Sequence, residues 1–155
     1  MKSGLSDDLL RAIGAVSAQW AVLEYQMCRA TVACLTKFSN DPSKRVAALN
    51  NLSFAVRRGL FKDALNGPNV TPSVKIEGSK LLARIKGIEN ERHKIIHGMA
   101  EEVDALQPEV LFSCTMGELW FSEHFTVADI EAIADRIGDL HLEIFEFAAK
   151  LWPAP

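Results

Sequence analysis

Along most of this chain apolar residues return every three or four positions, and in one late stretch every two. Leu9, Ile13, Val16, Trp20, Leu23, Met27 and Leu35 form the first stripe. That spacing lines one helical face, so the pattern predicts a helix over 6–38. Ser6 suits its N-cap, and Asp7 and Asp8 suit the positive end of its dipole. "SNDPS" at 39–43 interrupts the pattern, with Pro42 fitted to the first turn of the next helix. Helical segments over 43–50 and 52–66 follow, closed by Gly67-Pro68. "NVTPSV" opens another, with Thr71 as cap and Pro72 at its first position. Ile76, Leu81, Leu82, Ile85, Ile88, Ile95 and Ile96 supply its apolar face as far as His97, where Gly98 can take the left-handed conformation that closes a helix.

The period then changes. "EVLFSCTMGELWFSEHF" at 109–125 alternates in part and carries a turn signal at Met116-Gly117. It predicts two short strands in a hairpin, which must lie on the helices because a lone hairpin is marginal. Thr126 caps a last helix, 127–151, with Asp129 in its first turn. Ile130, Ile133, Ile137, Leu140, Ile144, Phe147 and Leu151 form its apolar side. The architecture predicted is all-α: a single domain over 1–155, an antiparallel up-and-down bundle of four to five helices with a small β-hairpin insert near 109–125.

Composition narrows the class. The chain has 155 residues and is 48% hydrophobic, enough for a sizeable core. Its longest apolar runs fall short of the ~18 residues of a membrane span. "MKSGLSDDLL" lacks the apolar stretch of a signal peptide. Cys28, Cys34 and Cys114 form no paired framework, as suits reduced thiols in a cytoplasmic protein. The net charge of -3 argues against a general nucleic-acid coat. It is unevenly spread: residues 1–100 hold 15 Lys and Arg against 8 Asp and Glu, and residues 101–155 hold 2 against 12. Such asymmetry fits a basic binding face, or an acidic segment that screens it or packs on a partner; on charge alone the preferred reading is solvated faces of both signs.

"NERHKIIHGM" at 90–99 carries the candidate chemistry, under three readings. In the first, Lys94 and His97 merely complement the negative end of a helix. In the second, Glu89, His93 and His97, one turn apart, ligate zinc or a similar ion. In the third, Arg92 and His97 form a metal-free phosphodiester site. A neutral His suits proton transfer near pH 7, and the Arg fork matches phosphate oxygens. Five residues at about 100° each put these two about 140° apart on a helix. They converge only if the long Arg reaches round, if the helix unwinds at Gly98, or if two copies meet across a two-fold axis.

Arg92-x4-His97-Gly98 resembles the R-x(4–6)-H motif of the HEPN superfamily of helical domains. "WAVLE" at 20–24 in a long first helix, and the long closing helix, resemble its small bacterial members. The resemblance implies a four- or five-helix bundle and a dimeric, metal-independent endoribonuclease needing no cofactor. Such proteins belong to toxin–antitoxin, defence or RNA-processing systems, with an antitoxin or other protein partner. By carry-over Arg92 stabilises the scissile phosphate, His97 does acid–base work and His93 is the polar auxiliary. Other members keep the fold as non-catalytic nucleotide- or protein-binding modules. His93 stands where Asn or Asp is common in the motif. The basic residues Lys80, Arg84, Lys86 and Lys94, with a second strip of Arg57, Arg58 and Lys62, are candidates for holding RNA. Trp20 and Glu24 are read as packing and a helix-to-helix polar contact, with Glu24 a candidate to orient Arg92. Trp120, Phe121 and Phe125 are read as core residues, or as a dimer interface if exposed.

Overall fold

The computed structural model describes residues 5–35, 41–102, 109–116 and 118–152. Five helices and three strands follow in the order α1 (Asp7–Leu35), α2 (Pro42–Asn50), α3 (Phe54–Leu65), α4 (Pro72–His97), β1 (Met99–Glu102), β2 (Glu109–Met116), β3 (Leu119–Thr126) and α5 (Val127–Leu151). The chain is mostly helical with a small antiparallel sheet. No helix among the described residues is long and apolar enough to cross a membrane. Residues 36–38, the end of the first expected helix, and Gly117 of the expected turn lie outside the described residues.

Local chemistry sets the helix starts. The Ser6 hydroxyl accepts from Leu9 N, Asp41 from Lys44 N, Ser53 from Val56 N and Thr71 from Val74 N. At α5 the cap is reciprocal: Asp129 N donates to Thr126 Oγ1 at 3.0 Å, and Thr126 N donates to the Asp129 carboxylate at 2.8 Å. Those bonds hold the Asp129 carboxyl below its usual range.

The chain falls into two compact units. The first comprises Met1–Trp20 and Gly87–Ile137. Its buried residues include Leu9, Val16 and Trp20 of α1, Ile88 and Ile95 of α4, and Ile130, Ile133 and Ile137 of α5. The sheet lies here, in the order β1-β2-β3, both pairings antiparallel. Met116 pairs with Leu119, so β2 and β3 form the expected hairpin. The strand β1 was not expected: Met99-Ala-Glu-Glu has no alternating apolar pattern. Pairing with β2, Ala100 opposite Phe112, is what makes it a strand. Val110, Phe112, Cys114 and Phe125 face inward, and Phe112 meets Phe125 edge-on at 5.6 Å. Leu119 and Trp120 stand outside, more than 60% exposed, so Trp120 is not a core residue of the chain.

The second unit comprises Ala21–Lys86 and Gly138–Pro155. Phe61 of α3 meets Phe147 of α5 edge-on at 6.1 Å, both fully buried. Gly78 lets α4 come close here, since a Cβ would overlap the Leu65 side chain and sit 3.1 Å from Phe147. Cys28, Val32 and Val46 form a smaller apolar cluster with Leu49 and Trp152 against it. Two expected core positions, Leu35 and Ile76, are more than half exposed. Each sits near a helix end, where the stripe outruns what covers it. Cys28, Cys34 and Cys114 are free and buried; burial raises the Cys28 thiol and pushes Cys34 up to about 11, so both stay protonated and unreactive.

Candidate functional site at the end of α4

The last turns of α4 hold Arg92, His93, Lys94 and His97. Ile88 and Ile95 anchor this segment by burial, which leaves Arg92 and His93 half-exposed and His97 exposed at the final helical position. Arg92 Nη1 approaches His97 Nε2 to 3.2 Å. The angular separation along the helix is overcome by the length of the Arg and the terminal position of the His. A guanidinium can only donate, so Nε2 accepts and the neutral ring carries its proton on Nδ1. His93 and His97 lie ring to ring, centroids 4.8 Å apart and planes tilted by 50°. The His97 pKa falls below the usual imidazole value because the ring loses water, and because Arg92 and His93 stand beside it.

Trp20 positions Arg92. Its buried ring lies 5.3 Å from the guanidinium carbon, an approach that holds the cation by its attraction to the ring face. Reading the sequence assigned Trp20 to packing and offered Glu24 as the orienting residue. Glu24 pairs with Arg57, at 3.1 Å.

Gly98 ends α4, but its backbone is not left-handed. Glycine is required there by close approach: a Cβ would collide with the Lys94 carbonyl oxygen and press on Phe112 at 3.2 Å. The chain then turns directly into β1. The strand β3 also reaches the site, since Lys94 forms an ion pair with Glu123 and lies 5.5 Å over the Phe121 ring. Arg136 of α5 pairs with Glu91.

The remaining expected site residues are scattered. Arg84 pairs with Glu143 in the second unit, with a second contact of 2.9 Å. Arg57 is buried against Glu24 and Asn50, so its guanidinium serves the interior and does not present a face for a phosphate chain. Arg58 lines a groove between α3 and α4. The alternative metal triad does not assemble: among the described residues no three His, Cys, Asp or Glu side chains are grouped to hold an ion. Glu89 does not complete a set with His93 and His97, and Nε2 of His97 faces a guanidinium, which repels a cation.

No family model, no curated protein and no solved structure matches this chain. The site is therefore read from its own geometry.

Proposed function

We propose that this chain is a HEPN-like, metal-independent endoribonuclease that works as a cytoplasmic homodimer in a toxin–antitoxin or defence system. The observation that supports the reading is the 3.2 Å approach of Arg92 to a neutral His97 at the exposed end of α4. In the proposed reaction the 2′-oxygen of RNA attacks its own phosphorus and the bond to the 5′-oxygen breaks. His97, through Nε2 once Arg92 turns to the phosphate, takes the 2′ proton. Arg92 binds the charge that builds on the phosphorane oxygens. The proton for the departing 5′-oxygen comes from His93 or from the second copy across the two-fold axis. The products are a 2′,3′-cyclic phosphate and a 5′-hydroxyl.

A second reading, a non-catalytic binding module of the same kind, has its own support. Lys94, Arg84 and Arg57 each face a carboxylate, which weakens the basic strip an RNA backbone needs. One experiment separates the two: cleavage of several RNAs in EDTA by wild type, Arg92→Ala and His97→Ala, each first matched in helical content and mass. The enzyme reading expects cleavage by wild type alone, leaving cyclic-phosphate ends. Activity that survives both substitutions overturns it, and inactivity of well-folded wild-type dimers transfers the conclusion to the binding module.

A further inference from the structure

The second unit contains a groove of about 420 Å³ between α3 and α4 that lies apart from the Arg92 and His97 cluster in the chain. Its shape has a plain cause. Ala55 and Gly59, one turn apart on α3, face Ser79 and Ala83, one turn apart on α4, so both walls lack side-chain bulk. Arg58, Lys62 and Lys86 line the same groove, Leu82 adds an apolar patch, and no carboxylate is among the described lining residues. Gly59 carries a second message. A glycine inside a helix weakens it relative to alanine. Here a Cβ would meet nothing within 4 Å, so packing does not demand the glycine; what it does is keep the groove open.

We infer that this groove is a binding site for a small organic phosphate, its anionic head held by Lys62 and Lys86 and its apolar body laid on Ala83 and Leu82. The volume is that of a small-molecule site. Lys62 and Lys86, with no acid among the described lining residues, set the sign of the ligand, and the apolar floor distinguishes an organic phosphate from the bare ion. The site stands whether or not Arg92 and His97 cleave RNA.

The test is calorimetric titration of the full chain with 1-naphthyl phosphate at low salt, with 1-naphthol and inorganic phosphate as controls. Saturable binding is expected for the aryl phosphate, at least tenfold weaker for either control. Gly59→Leu, which has room for its side chain, is expected to abolish it, Lys62→Ala with Lys86→Ala to weaken it at least tenfold, and Arg92→Ala to leave it unchanged. Absence of saturable binding overturns the inference. So does binding that persists in Gly59→Leu, or that disappears in Arg92→Ala. If Gly59→Leu loses its helical signal, the exposed lysine pair carries the decision, since neither lysine is needed for the core.

Discussion

The two units of this chain are built from the same three long helices, yet they use charge in opposite ways. Met1–Trp20 with Gly87–Ile137 holds five Lys and Arg against 13 Asp and Glu. Ala21–Lys86 with Gly138–Pro155 holds 12 against seven. The acidic unit nevertheless carries Arg92 beside His93 and His97, next to an aromatic ring and a closing glycine. The basic unit spends several of its cations on carboxylates: Arg57 on Glu24, Arg84 on Glu143, Lys150 on Glu77. Net charge governs long-range attraction, whereas chemistry depends on which few groups are brought within a hydrogen bond of each other. In the functions proposed above, a binding groove in one unit and a proton-transfer pair in the other divide the labour.

The largest expected effect tests that division directly. His97→Ala should lower RNA cleavage by ~10²–10⁴-fold, the usual worth of a positioned acid–base group. Arg84→Ala, which removes a cation from the other unit, should leave the rate near that of wild type. A comparable loss in both variants would erase the distinction between the units.

Core truncation should strike both units alike. Phe112→Ala in the first and Phe61→Ala in the second each remove a fully buried ring, and each should cost about 3–5 kcal/mol in urea unfolding. A protein that unfolds in two steps, one shifted by each variant, would show that the units are thermodynamically separable.

Ion pairs should divide by burial. Arg57→Ala leaves Glu24 facing the interior and should cost on the order of 3 kcal/mol. Arg136→Ala and Lys150→Ala break exposed pairs and should each cost less than about 1 kcal/mol in the same assay. Equal losses from Arg57→Ala and Arg136→Ala would remove the case that Arg57 is structural.

The smallest expected effect is on pH. His97 is held below the ordinary imidazole pKa, so the acid limb of the cleavage profile should fall below pH 6.5. The sign for stability follows from the same shift. The unfolded chain takes up this proton before the folded one, so the contribution is present near neutrality and is lost as pH falls through 6.5. In Arg92→Ala one of the two neighbouring charges is gone, and the His97 titration followed by NMR should move upward. An unchanged titration would mean that Arg92 does not act on His97 in solution.

How much of this was legible beforehand varies with the range of the interaction. The helix starts capped by Ser6, Thr71 and Thr126 were, because each side chain acts on an amide only three residues away. The hairpin was, because its turn signal and alternation are local. The strand β1 was not, because four residues without a pattern become a strand only when β2 lies beside them. The exposure of Trp120 and Ile76 was not, because an apolar residue announces its preference and not whether anything covers it.

The candidate site divides along the same line. The residue types and spacing of 90–99, the long helix that carries them and the uneven distribution of charge belong to the sequence alone, since each follows from composition or from neighbours along the chain. Tertiary structure decided the rest. It set Trp20 under Arg92 and gave Glu24 to Arg57. It tied Lys94 to Glu123 and opened a groove beside Gly59. The reason is physical: a side chain of four or five bonds has many partners within reach, and only the packing of buried residues elsewhere in the fold selects among them.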